Sequence, residues 1–275
     1  MRNLRAFAQD RQHAVELGSI YERIEKGKSV TTAATVVHCP LSGAADPVHI
    51  VQSVSIPVVG QPDPFQTKHQ FAFDGARWVA LLEKQSYLGH LIPQARATIT
   101  RDLPGEVFNL QRASGLAFLT MTLRSLKTQR PLLAALTDDP PLDIFDVTEF
   151  TDGQGRRLIQ LVTRDPMPEK IVLDPAQRMV LVSHHIGYTL GRDPTPWSED
   201  ITVAGCTEIN GLFAAPQHVT VVTRRAEEIS AREEIEINTC HMIPLDELKA
   251  QADLHLPPGC EVKDTMALTE YQLPR

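Results

Sequence analysis

Hydrophobic and polar positions divide this chain into short alternating segments punctuated by turn residues. Phe7, Ala14, Leu17, Ile20, Tyr21 and Ile24 recur at helical spacing, and Gly27 stands where a C-terminal cap would stop a helix. The spacing predicts one opening amphipathic helix. Residues 30–39 are rich in Val and Thr, and Val48, Ile50, Val54 and Ile56 fall on one face of a segment that ends at Pro57. Both read as strands, since β-branched side chains suit a pleated, half-buried surface. The stretch between them, residues 40–47, carries the Pro, Gly, Ser and Asp that turns require. A proline-punctuated connection over 58–64 then leads to a strand pair at 68–73 and 78–82, separated by Asp74-Gly75, a strong hairpin signal.

The texture changes over residues 103–136. Val107, Leu110, Leu119, Leu123 and Leu126 are spaced for a helix, and Pro131 forces a break before the apolar run 132–136. A helical insertion is expected there, closed by the loop Asp138-Asp139-Pro140-Pro141. Strands resume at 144–150 and 157–164, joined through the glycine-bearing stretch 151–155. Further strands at 170–173 and 179–186 flank a short turn at 174–178, and 219–223 and 234–238 continue the meander. The charged stretch 224–234 between the last two fits a hairpin tip or a short helix, because its alternating signs suit both. No self-similarity at a period of tens of residues is visible, which argues against a propeller or solenoid.

Repeated hairpins with two helical pieces, and no strand-helix-strand alternation, imply an antiparallel sheet that buries its apolar face by curling around the helices. The fold class read from the pattern is α+β, mainly β: a strongly curved antiparallel sheet forming an open half-barrel with helices in the concavity. One domain is expected over residues 1–275. Hydrophobic residues at 42% and charged residues at 22% are ordinary for a globular chain, and 275 residues suffice for a large core. Aromatic residues are only 5%, so the concave side would be lined by Val, Ile and Leu, a composition suited to an apolar cavity or to a packed core.

A net charge of −7 argues against nucleic-acid binding and against docking on an anionic membrane. Charged residues or prolines interrupt every apolar stretch, so no helix is expected to span a bilayer. Residues 1–10 carry positive charge with no apolar run behind it; the reading is a cytoplasmic chain or one shown without its secretory signal. Cys39, Cys206, Cys240 and Cys260 lie far apart with no C-x-x-C, and are expected as buried free thiols, with Cys206–Cys240 as the pairing to watch.

Motifs for catalysis or metal binding are weak. Gly27-Lys28-Ser29 looks like the end of a phosphate loop, but Glu22 stands where the first glycine belongs and the strand–helix order is reversed. Gly153-Gln154-Gly155 lacks a third glycine at Leu158 and reads as a turn. His184-His185, His38-Cys39 and Cys240-His241 hold metal-ligating side chains, yet strand neighbours point to opposite faces, so one histidine of the first pair should be packed inside and the other exposed. Cys39 beside His38 has the types of an activated thiolate, with the same divergence. Asp138, Asp139, Asp143 and Asp146 border a strand and read as solvated carboxylates. No G-x-S-x-G is present. No cofactor, catalytic residue or metal ligand is assigned, and the chain is read as non-enzymatic.

Several segments together carry a family resemblance. They are the expected opening helix with the paired strands after it, the hairpin Phe73-Asp-Gly-Ala-Arg-Trp78, Ile171-Val-Leu-Asp-Pro175 with the strand that follows, Glu208-Ile-Asn-Gly-Leu-Phe-Ala-Ala-Pro216, then Asn238, Ile243-Pro244 and Leu254-His-Leu-Pro-Pro-Gly-Cys-Glu-Val-Lys-Asp264. This pattern resembles the lipoprotein localisation factor (LolA/LolB-like) superfamily, in its diverged lipoprotein-sorting-like members. The resemblance spans residues 7–264. It implies an open half-barrel, a periplasmic or cell-envelope location, and an acyl chain, lipid or lipoprotein as ligand, with a protein partner as the alternative. It fixes no individual ligand-binding residue.

Overall fold

The computed structural model describes residues 13–40, 48–87, 90–92, 95–101, 145–164, 169–177, 180–190, 193–209 and 213–274. In chain order the elements are β1 (His13–Glu25), β2 (Lys28–Pro40), β3 (Val48–Ile56), β4 (Phe65–Phe73), β5 (Trp78–Tyr87), β6 (His90–Ile92) and β7 (Arg96–Thr100). After these come β8 (Phe145–Thr151), β9 (Arg157–Thr163), β10 (Lys170–Asp174), β11 (Val180–Leu190), β12 (Asp193–Ile209), β13 (Phe213–Arg225) and β14 (Glu228–Pro244). The helix α1 (Leu245–Ala252) and the short strands β15 (Glu261–Asp264) and β16 (Thr269–Gln272) complete the set. The fold is mainly β. Its hydrogen-bonded order is β16-β15-β7-β5-β4-β3-β2-β1-β14-β13-β12-β11-β10-β9-β8, with β6 beside β5, and among the described residues the end strands β16 and β8 do not pair with each other.

Residues 13–25 correct the expectation of an opening helix. Ala14, Val15, Leu17 and Ser19 are all buried, so this part of β1 is covered on both faces. A strand covered on both faces loses its period of two, and its apolar residues then fall by chance at helical spacing. Lys26 and Gly27 both have left-handed backbones, φ 49° and 73°. They form the two-residue turn whose twist matches a β-hairpin, so Gly27 serves the β1–β2 turn rather than a helix cap.

The described residues divide into two compact units: unit I holds residues 13–22, 29–101 and 238–274, and unit II holds 23–28 and 145–237. In unit I the register places Val37 opposite Ile50 and Ile50 opposite Phe71, all buried on one face. On the other face Leu81, Ala97, Ile99, Cys260 and Val262 form a cluster against which Leu254, Leu256 and Leu273 pack. One strand pair departs from the antiparallel expectation: β15 runs parallel to β7, Val262 opposite Ala97. In unit II, Leu161, Ile171, His184, Ile201 and Val221 line up across β9–β13 on a single buried face.

The hairpin expectations hold at Asp74, where the oxygen Oδ1 accepts from the N–H groups of Ala76 and Arg77, and at Asp152, which does the same for Gln154 and Arg156. The charged stretch 224–234 is a hairpin, with β13 and β14 running on until Arg225 faces Glu228. Of the expected helices, the first is a strand and the insertion at 103–136 lies outside the described residues, as do Asp138, Asp139 and Asp143. The helix that is described, α1, starts directly after Pro244, whose φ of −61° suits a helix entry. Its Asp246 and Glu247 sit in the first turn and Lys249 in the last, complementing the helix dipole. No described helix is long and apolar enough to cross a membrane.

Candidate functional site

The strand register of β2–β5 assembles an unusually small set of side chains on one face of unit I. Thr32 lies opposite Ser55, and Ser55 opposite Gln66; Ala34 lies opposite Ser53, and Ser53 opposite Lys68; Gln66 also faces Ser86. Because directly paired residues share a face, Thr32, Ala34, Ser53, Ser55 and Ser86 form a floor of hydroxyls and methyls, with the longer side chains of Gln66 and Lys68 on the same face. Ile20 from β1 joins it, 49% exposed. Together with Ala33, Val54 and Thr67 they bound an open groove of about 490 Å³. That volume lies within the usual range of small-molecule sites, roughly 300–1,000 Å³.

Further along the same face a polar chain begins at the groove. Lys68 Nζ lies 2.5 Å from Glu83 Oε2, and the Gln70 amide donates to the other oxygen of Glu83. Glu83 reaches both because β5 bulges there: Lys68 faces Lys84 while His69 faces Leu82, leaving Glu83 as the extra residue. Gln70 Oε1 in turn lies 3.2 Å from His49 Nε2. His49 faces His38 across the β2–β3 ladder, and their rings stack with centroids 5.6 Å apart. His38 Nε2 lies 2.7 Å from Glu16 Oε2, and Glu16 Oε1 lies 3.3 Å from His241 Nε2. Burial holds His49 below the ordinary histidine range; the Gln70 contact works against this, and His38 beside it reinforces the depression.

The other sequence candidates separate as strand geometry requires. His38 faces Glu16, whereas Cys39 is buried with its thiol pushed up to about 12, first by burial and then by Cys240. Burial likewise pushes Cys240 up to about 12, so neither sulfur is an activated nucleophile. All four cysteines are free; the expected exception, a Cys206–Cys240 bridge, is absent, and Cys206 donates to Gln177 Oε1 at 2.8 Å. His184 is buried, 3.4 Å from Glu169 Oε2, whereas the His185 side chain is 47% exposed and lies 2.7 Å from Asp200 Oδ1. Asp146 is exposed and pairs with Arg164. Gly27-Lys28-Ser29 belongs to the β1–β2 hairpin, and Gly153-Gln154-Gly155 to the turn under Asp152. Among the described residues no group of three or more His, Cys, Asp or Glu side chains is arranged to hold a metal ion.

Sequence reasoning passed over the groove and the polar chain. Their residues come from six strands, β1–β5 and β14, and no motif links Glu16, His38, His49, Gln70, Glu83 and His241 until the register is known. The one available signal was the clustering of Ser, Thr and Ala in residues 31–35 and 53–55, which reads as weak strand rather than as a cleft floor.

No protein-family model and no curated protein matches the chain. Among solved structures it is similar to an outer membrane lipoprotein-sorting protein domain from Vibrio parahaemolyticus, at 10% identity, covering 88% of this chain and 89% of that one with a TM-score of 0.38. It is similar also to a DUF1329 family protein from Desulfovibrio piger, at 8% identity, 87% and 90% coverage and a TM-score of 0.41. A third is a LolA superfamily protein from Nitrosomonas europaea, at 8% identity, 87% and 91% coverage and a TM-score of 0.40.

Proposed function

We propose that this chain is a non-enzymatic carrier that holds a lipid or acyl chain, as a lipoprotein carrier would, along the groove of unit I. The observation that carries the reading is the groove itself, about 490 Å³ of open space bounded by Ala34, Ser53, Ser55 and the half-exposed Ile20. An aliphatic chain laid on that floor leaves water at about 0.8 kcal/mol per methylene, so a run of six to eight methylenes contributes about 5–6 kcal/mol before the cost of ordering the chain. Small hydroxyls at Thr32, Ser53, Ser55 and Ser86 let the chain lie close to the sheet and hydrogen-bond among themselves or to water when the groove is empty. The sequence resemblance supports the same reading and extends it to a half-barrel of one domain over residues 1–275, working in the periplasm or cell envelope.

The test is titration with a fluorescent fatty acid. Saturable binding is expected, and Ala34→Trp, which fills the floor, should weaken it about tenfold or more, the equivalent of 1.4 kcal/mol. A signal that does not saturate, or that Ala34→Trp leaves unchanged, would remove the groove as the site.

A second reading, an interaction or sensor module on the same scaffold, is favoured by the sheet's two ends. Among the described residues β8 pairs with β9 alone and β16 with β15 alone. An edge strand offers unpaired backbone groups to a partner's strand. In that reading the cavity would be filled by the chain's own Leu110, Leu119, Leu123 and Leu126, which lie outside the described residues. A protein that binds no lipid and whose complex with a partner is abolished by Thr148→Pro in β8 would favour it.

A further inference from the structure

We infer that the stacked rings of His38 and His49, between Glu16 and Gln70, form an acid-sensitive seam at which β2, β3 and β4 open on mild acidification. The inference stands whether or not the groove holds an acyl chain.

The hydrogen-bond partners make the Nε2 atom of each ring a donor. Glu16 can only accept, so His38 Nε2 donates to it over 2.7 Å. Gln70 spends its amide nitrogen on Glu83 and turns its oxygen to His49, so His49 Nε2 also donates. In the neutral His49 ring the remaining nitrogen, Nδ1, is therefore a bare lone pair. Both Nδ1 atoms are buried with no hydrogen-bond partner, in residues only 6% and 9% exposed. An unmet lone pair is tolerated inside a protein; a second N–H with no acceptor, bearing a charge against a parallel ring, is not.

The charged neighbours do not relieve this for both rings. On β1, Glu16 is shared between His38 and His241 of β14. On β4 and β5, Lys68 and Glu83 are paired with each other. The helix α1, which packs on β3, carries Asp246 and Lys249 as a mutual pair and Glu247 in its first turn. The carboxylate of Glu16 contacts His38, whereas His49 contacts an amide and an imidazole. His49 is the ring that resists.

The sign follows from that resistance. The folded state holds His49 below its ordinary value, whereas the opened chain takes up the proton at about 6.5. Closure is unaffected above that value, is lost progressively as pH falls toward the lowered folded value, and is lost no further below it. Within the window the opening equilibrium rises by up to about tenfold per pH unit, the slope for one proton. Because Gln70 leads on to Glu83 and Lys68, loosening at His49 reaches a wall of the groove.

Amide hydrogen exchange of the full chain at about pH 7.5 and about pH 5.5, corrected for intrinsic rates, tests this in peptides from β2, β3 and β4. The expected result is a clear rise in the opening equilibrium of these strands at the lower pH, by up to about tenfold. His49→Gln keeps an N–H for Gln70 and removes the titrating ring, so the rise should shrink by about half or more while peptides of β9 and β10 stay as they were. An equal rise in wild type and His49→Gln, or no rise in wild type, would overturn the inference. Should His49→Gln fail to fold, nuclear magnetic resonance titration of the wild-type ring decides: titration below the ordinary range with broadening of β3 supports the seam, and titration near 6.5 in an intact sheet overturns it.

Discussion

Adding one methyl group at Gly18 gives opposite outcomes for a helix and for the strand observed. In a helix interior, Gly→Ala would stabilise the protein by about 0.5–1 kcal/mol, because glycine gives up more backbone freedom on folding. In β1 the Cβ built on Gly18 meets Thr239 Oγ1 at 2.3 Å and Asn238 Oδ1 at 3.0 Å. Such overpacking in a buried sheet costs about 1–3 kcal/mol, so the two accounts differ in sign and by about 1.5–4 kcal/mol. Urea unfolding followed through Trp78 and Trp197 fluorescence reads the difference, and a thermal melt should fall by about 2–4 °C per kcal/mol. The Thr239 Cβ lies at an ordinary 3.6 Å from the added carbon, so Thr239→Ala removes the offending oxygen without opening a new clash. In that background Gly18→Ala should cost much less, with a coupling of about 1 kcal/mol or more between the two sites. A Gly18→Ala protein more stable than wild type, or a cost that Thr239→Ala does not reduce, would refute the placement of β1 beside β14.

Two further outcomes follow from the packing and the turns. Leu81 is 2% exposed at the centre of the Ala97, Ile99, Cys260 and Val262 cluster, so Leu81→Ala should lower the unfolding free energy by about 2–5 kcal/mol in the same urea assay. At the β4–β5 turn, burial pushes the Asp74 carboxyl up, but the N–H groups of Ala76 and Arg77 and the Arg77 guanidinium outweigh it and hold it below the usual carboxylate range. Its contribution is thus present above about pH 3.9 and lost as pH falls through the lowered folded value. Asp74→Ala should melt lower than wild type at neutral pH and converge with it in acid; a constant gap at all pH values would deny the carboxylate that role.

The strands that could be read from the sequence were those with one solvated face and a chemically marked turn. β8–β9 and β4–β5 each end in an aspartate that caps the turn with its own carboxylate, a local device visible without tertiary structure. β1 was misread because burial on both faces erased the alternation that separates strand from helix. β12, with Pro194 and Pro196 near its start and polar residues throughout, gains its strand character from pairing along its length with both β11 and β13, which no local window contains. α1 is eight residues long and takes its place from Leu248 packing on Ala14 and Ile243. The candidate site was hidden for a related reason: register alone brings Ala34, Ser53 and Lys68 onto one face, or sets His38 against His49.

The carrier reading is tested most directly by native mass spectrometry of the protein purified from cells, followed by extraction and identification of whatever co-purifies. The account predicts one acyl-chain species per protein, and its loss from the Ala34→Trp variant purified in the same way. A wild-type mass with nothing bound, in a protein that also fails to take up an added fatty acid, would contradict it.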